Sequence, residues 1–109
     1  MTFKEFQKTR EFRNDLLSYD DEIVEGYIYG DFIANKYIEE NLHIYRIPLN
    51  KLKPETIKTY KLEGLHAYEL TIERSDYLTN NLKALEKILY KWAKNEGIFK
   101  FMDKGKREI

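Results

Sequence analysis

The spacing of apolar residues predicts a helix, then strands, then a second helix. Phe3, Phe6, Phe12, Leu16 and Leu17 recur at intervals compatible with a helix reaching to about Ser18. Thr2 followed three residues later by Glu5 supplies a capping-box start, and the acidic turn Asp20-Asp21-Glu22 ends the element. On that helix Arg10 and Arg13 fall inside the apolar arc. Lys4, Gln7, Lys8, Glu11, Asn14 and Asp15 occupy the opposite side.

The pattern then turns β-branched and aromatic. Ile23 to Tyr29 reads as a strand punctuated by Gly30-Asp31. Phe32 to Glu39 reads as a second strand, or as a short helix capped by Asp31. After Glu40-Asn41, Leu42 to Ile47 reads as a third strand, ended by Pro48 because proline donates nothing to a ladder. A connector between Pro48 and Pro54 leads into a predicted hairpin: Ile57 to Leu62, a Glu63-Gly64 turn, and Leu65 to Glu73. Alternation on its second arm places His66, Tyr68, Leu70 and Ile72 on one face, and Ala67, Glu69, Thr71 and Glu73 on the other.

The last element is an amphipathic helix capped by Thr79 or Asn80 and stopped by Gly97. Leu82, Leu85, Ile88, Leu89, Trp92 and Ala93 fall within about 140° of its circumference at ~100° per residue. Together the elements predict an α+β fold: a curved, mostly antiparallel sheet with the first and last helices packed on one face. The 109 residues suit a single domain, with a compact core over 1–99 and a basic tail over 100–109 that is expected to fray.

Composition narrows the chemistry. With 42% hydrophobic and 35% charged residues, the chain is globular rather than disordered. No cysteine is present, which removes disulfides, thiolate metal sites and thiol nucleophiles. No apolar run approaches the ~20 residues of a membrane span, and Met1 to Arg10 lacks the apolar stretch of a signal peptide. A cytoplasmic protein that does not contact membrane is therefore expected.

Nineteen basic and nineteen acidic residues cancel, but they are unevenly placed. Glu11 to Asn41 holds nine acids against Arg13 and Lys36, whereas Lys83 to Arg107 holds eight bases against three acids. On the final helix Lys83, Lys87, Lys91 and Lys94 fall between about 100° and 180° from Leu82, at ~100° per residue. No acid lies within that arc; Glu86 and Glu96 sit nearer the apolar side. Four lysines over about 17 Å of helix form a stripe able to track a phosphate backbone. Lys100, Lys104, Lys106 and Arg107 would extend it, and Tyr90 and Phe101 would offer rings for bases to stack on. The plainer alternative is a solvated helix face.

A second set of candidates contacts a partner molecule. Arg10 and Arg13 need carboxylates, an aromatic face or solvent, and Glu22 and Glu25 are the expected counter-ions; a phosphate- or carboxylate-binding pocket edge is the other reading. Tyr27, Tyr29, Phe32, Tyr37 and Tyr45 would supply an aromatic anchor for a protein partner, with the acidic segment steering association. That segment, from Asp20 to Glu25 with Asp31, Glu39 and Glu40, does not meet calcium-loop spacing, and sheet-edge charge explains most of it. His66 reads as a satisfied histidine at the core margin. Ser18 and Ser75 read as boundary residues. With no nucleophile motif and no glycine-rich phosphate loop, neither catalysis, a cofactor nor a metal is expected.

The run Gly26-Tyr27-Ile28-Tyr29 and the helix Leu82-Lys83-Ala84-Leu85-Glu86-Lys87-Ile88-Leu89-Tyr90-Lys91-Trp92-Ala93 resemble small α/β proteins of Gram-positive phages and staphylococcal-type mobile genetic elements. Fourteen lysines against five arginines fit an A/T-rich genome of that kind. The resemblance implies an accessory of element replication, or an inhibitor of host nucleic-acid enzymes or defence systems, and it carries no site residues with it. The expected function is therefore a non-enzymatic interaction module: an accessory nucleic-acid-binding subunit of a mobile-element DNA replication or processing complex. The alternative is an inhibitor or adaptor that binds a host protein through the acidic and aromatic surface. Oligomeric state is left open.

Overall fold

The computed structural model describes residues 1–18, 20–30 and 42–99. Thr2 opens the first helix, α1 (Phe3–Lys8), through the expected capping box: its hydroxyl accepts the Glu5 amide at 3.2 Å, and the Glu5 carboxylate accepts the Thr2 amide at 3.0 Å. The helix does not continue to Ser18. Thr9 closes it, its hydroxyl donating to the Phe6 carbonyl at 2.6 Å and accepting the Gly30 amide at 2.8 Å. Residues Glu11–Leu17 form strand β1 instead. The strand carries an irregularity between Arg13 and Leu16. An extra residue breaks the two-residue period, so Phe12, Leu16 and Leu17 imitate helical spacing.

Strand β2 (Ile23–Tyr29) has the expected bounds, and β3 (Leu42–Pro48) ends on its proline. The strand expected over 32–39 lies outside the described residues. After a 3-10 turn (Leu49–Lys51), the segment expected as a strand over 57–62 is in part a helix, α2 (Pro54–Thr59). Pro54 sits in its first turn, where a missing N–H costs nothing. Strands β4 (His66–Ile72) and β5 (Ser75–Thr79) make the hairpin, so Glu63-Gly64 is not its turn. Glu73 and Arg74 form that turn, with Glu73 at φ 54°. A two-residue turn with positive φ at its first position favours Gly there, and Glu-Arg carries no such mark.

Among the described residues the strands pair in the order β1-β2-β3-β4-β5, each antiparallel to its neighbour, in an open sheet. Helix α3 (Leu82–Asn95) is capped by Asn81, one residue beyond the expected Asn80, whose own side chain bonds Glu63 and His66. Gly97 takes φ 73°, the left-handed stop its position implied.

The strand registers put Tyr29, Leu42, Ile44, Leu70 and Ile72 on one sheet face. Phe6 of α1 stacks on Tyr29 with ring centroids 4.9 Å apart, and Leu85, Leu89 and Ala93 of α3 close the same buried cluster. The fold is thus α+β, with the N- and C-terminal helices on one face of an antiparallel sheet. Toward β1 that face stays open: Phe12, Leu17 and Ile23 are 46%, 59% and 65% exposed.

Candidate functional site

Helix α3 divides its residues between two surroundings. Leu85, Leu89 and Ala93 are buried, whereas Lys83, Lys87, Lys91 and Lys94 are exposed on the outer side. The ion pairs among the described residues, Arg10–Glu86, Arg13–Asp15 and Arg46–Glu25, all use arginine. No described carboxylate is therefore in ion-pair contact with the lysine face. Lys100 and Lys104 lie outside the described residues, as do Phe101, Lys106 and Arg107. Tyr90 does not join the stripe. Its hydroxyl donates to the Met1 carbonyl at 2.7 Å, and its ring packs against Phe3, Phe6 and Phe99 at 5.1–5.6 Å between centroids. The flank of α3 that a solitary helix would expose at Tyr90 is the flank α1 covers.

That flank also explains Glu86, which sequence reasoning left unassigned. The residue is 1% exposed, the one charged side chain in the described core. One carboxylate oxygen accepts the Tyr29 hydroxyl at 2.7 Å and Arg10 Nη1 at 3.4 Å; the other accepts Gln7 Nε2 at 3.3 Å. Burial, and then the hydrogen bond to Glu86, pushes the Tyr29 phenol far above its ordinary range. The acid of α3 is thereby satisfied inside, which leaves the outer face of the helix to its lysines. A signal was present: Glu86 lies only about 20° beyond Ala93 at ~100° per residue.

The arginines are on a strand and its approach, not on a helix, and their partners differ from those expected. Arg13 grips Asp15 with two hydrogen bonds of 2.9 and 2.7 Å, a fork that raises the guanidinium pKa and lowers that of the carboxyl. Arg10 bonds Glu86 and lies 5.3 Å over the Tyr27 ring. Glu25 serves Arg46 instead, accepting Nε at 3.0 Å and Nη2 at 2.8 Å, and those bonds hold its carboxyl below the usual range. Arg46 in turn lies 4.7 Å over Phe12. Phe12 meets Tyr27 at 5.7 Å, and Tyr27 meets Tyr68 at 6.3 Å between centroids. The open end of the sheet is thus a row of rings edged by two guanidinium groups.

Two expected aromatic anchors are not available to a partner. Tyr29 is fully buried, and Tyr45 is 7% exposed with its hydroxyl on the Leu17 carbonyl at 2.9 Å. Phe32 and Tyr37 lie outside the described residues. The histidines stand on opposite faces, since His43 pairs with Ile28 while His66 pairs with Pro48. Among the described residues no group of His, Asp or Glu has a metal-binding arrangement, and no helix is long and apolar enough to cross a membrane.

The reverse sheet face carries acid. A cleft of about 450 Å³ is lined by Asn14, Asp20, Val24, Tyr45, Lys51 and Glu69, among others. Burial, and then repulsion by Asp76 and Asp20, pushes the Glu69 carboxyl above its usual range. A raised carboxyl favours the fold below its unfolded pKa of roughly 4.3 and loses that contribution as pH climbs through the folded value. Glu69→Gln is therefore expected to raise Tm at neutral pH and to give no gain near pH 3.5. A thermal melt of both chains at the two pH values reads this, and an unchanged Tm at neutral pH would refute it.

Comparison of the chain with protein-family models, with curated proteins and with solved structures finds no match.

Proposed function

We propose that the protein is a non-enzymatic nucleic-acid-binding module, acting in the cytoplasm as an accessory subunit of a mobile-element DNA replication or processing complex. The observation that supports this reading is the outer face of α3, where Lys83, Lys87, Lys91 and Lys94 are exposed and none of them enters a described ion pair. A face built only for solubility usually mixes signs. Here the acid of the central turn, Glu86, points inward to Tyr29, Gln7 and Arg10. Lysines spread along about 17 Å meet successive phosphates as point charges and release condensed counter-ions. The resemblance of β2 and α3 to small proteins of mobile elements supports the setting.

The test is a salt titration of binding to labelled DNA. Four phosphate contacts give a log affinity that falls against log salt with a slope of about −3 to −4 on duplex and about −3 on single strands. Glutamine at all four positions is expected to bring the slope on duplex close to zero. No binding near 50 mM salt, or a slope that survives the substitutions, would overturn the reading.

A second reading, an inhibitor or adaptor of a host protein, is favoured by the tip of the β1-β2 hairpin. There Leu17 and Ile23 are a cross-strand pair, 59% and 65% exposed, beside Asp20, Asp21 and Glu22. Apolar surface rimmed by acid suits a basic protein partner. A lysate pull-down with and without nuclease separates the two: one stoichiometric protein retained after nuclease supports the adaptor, and loss of every partner supports the nucleic-acid module.

A further inference from the structure

Resting on the nucleic-acid reading, we infer that the ligand is single-stranded and that its bases stack on Phe12, Tyr27 and Tyr68 at the open end of the helix-bearing sheet face. The register places these residues on the same face of β1, β2 and β4. Their rings form a continuous row, with centroids separated by 5.7 Å and then 6.3 Å. Phe12, at the sheet edge, is 46% exposed; Tyr27 and Tyr68 are half-buried and packed against the core, which holds the row in place. Held rings of this kind lose little conformational freedom when a flat partner lies on them.

The charges beside the rings suit a polyanion. Arg46 lies over Phe12 and Arg10 over Tyr27, each a planar cation that itself stacks on bases. Each is anchored by one carboxylate, Glu25 or Glu86, which fixes the fork in place. A guanidinium has five N–H donors, so one anchoring carboxylate leaves donors for a phosphate or a base edge. Uncompensated positive charge begins next to these pairs, on α3, where Lys83 lies three residues before Glu86 on the adjoining helix surface. A duplex keeps its base faces covered by neighbouring pairs and gains nothing from exposed rings. A single strand offers both its phosphates and its base faces, so it alone can use lysines, arginines and rings together.

The experiment uses the full chain and a labelled oligothymidylate of about 16 nucleotides, long enough for the site, with the corresponding dA·dT duplex as comparison. The single strand is expected to bind at least about tenfold more tightly than the duplex at equal salt, the equivalent of losing one stacked base or more. Phe12→Leu keeps an apolar side chain and removes the ring. It is expected to weaken single-strand binding between about fivefold and 150-fold, leaving the salt slope and duplex affinity unchanged. Phe12→Trp is expected to retain affinity, and its indole emission to be quenched on binding. Equal affinity for the two DNAs, or full single-strand affinity in Phe12→Leu with an unquenched Phe12→Trp, would overturn the inference. Duplex binding that depends on the lysines alone would overturn it while leaving the proposed function standing; no binding to either DNA would remove both.

Discussion

Glu86→Ala is expected to lower stability by about 3 kcal/mol. The carboxylate is 1% exposed and accepts from Tyr29, Gln7 and Arg10, which belong to β2, α1 and the approach to β1. Truncation leaves the buried Tyr29 hydroxyl without its acceptor and opens a cavity between α1 and α3. Near-neutral melts should show a Tm drop of roughly 12–20 °C. Arg10→Ala is expected to cost less than Glu86→Ala, because its side chain is 42% exposed and Tyr29 and Gln7 still donate to the carboxylate. Glu86→Gln should fall between the two, since the amide keeps one acceptor for the tyrosine. Equal losses in Glu86→Ala and Arg10→Ala would show that the guanidinium, rather than the tyrosine hydroxyl, holds the buried carboxylate.

The same centre sets an alkaline limit. A tyrosine whose folded pKa is raised stabilises the fold fully below its unfolded value of roughly 10 and loses that contribution as pH rises further. Stability should therefore decline above about pH 10, and Tyr29→Phe, less stable at neutral pH, should lack that component of the decline.

Gly26→Ala is expected to cost about 2–3 kcal/mol, with Gly26→Val worse. The reason is not a positive φ but proximity. A Cβ at this position would stand 2.5 Å from the Ile44 carbonyl oxygen, 2.7 Å from Leu16 Cδ1 and 3.1 Å from Tyr45 Cα. Leu16 can shift, because β1 is an edge strand with an irregular register beside it. The Ile44 carbonyl cannot, because β3 is held between β2 and β4. Adding Leu16→Ala should accordingly relieve only part of the loss. Denaturant melts of the single and double variants check this, and a cost below about 0.5 kcal/mol for Gly26→Ala would mean that the strands part freely.

Several elements were legible because local chemistry agrees with the tertiary outcome. Thr2 with Glu5 specifies a helix start, Gly97 specifies a helix stop, and the run Ile23 to Tyr29 specifies a strand, all through residues close in sequence. The apolar stripe of α3 and its lysine face follow from one periodicity. The errors fell where local and tertiary signals diverge. The helix expected to run through Phe12 to Leu17 is a strand whose bulge disguises its alternation. The strand expected over 57–62 gave way to a helix that begins at Pro54, a start signal overlooked beside the hairpin-like Glu63-Gly64. The true hairpin turns on Glu73-Arg74, where the register of β4 and β5 imposes a positive φ that the residue types do not announce.

The candidate sites divide in the same way. Sequence by itself determined the four-lysine face, because a helix places residues at fixed angles whatever it packs against. It also determined the separation of charge along the chain, an acidic stretch over 11–41 and a basic one from Lys83 onward. Only the tertiary structure decided which groups neutralise one another. Docking α1 on the flank of α3 turned Tyr90 from a candidate stacking ring into a partly buried ring packed against the core, and drew Glu86 inside with Tyr29. Sheet pairing gave Glu25 to Arg46 and put Phe12, Tyr27 and Tyr68 in one row, although they are 15 and 41 residues apart in sequence. Those outcomes depend on contacts between distant segments, and the energy of such a contact is not written in either segment alone.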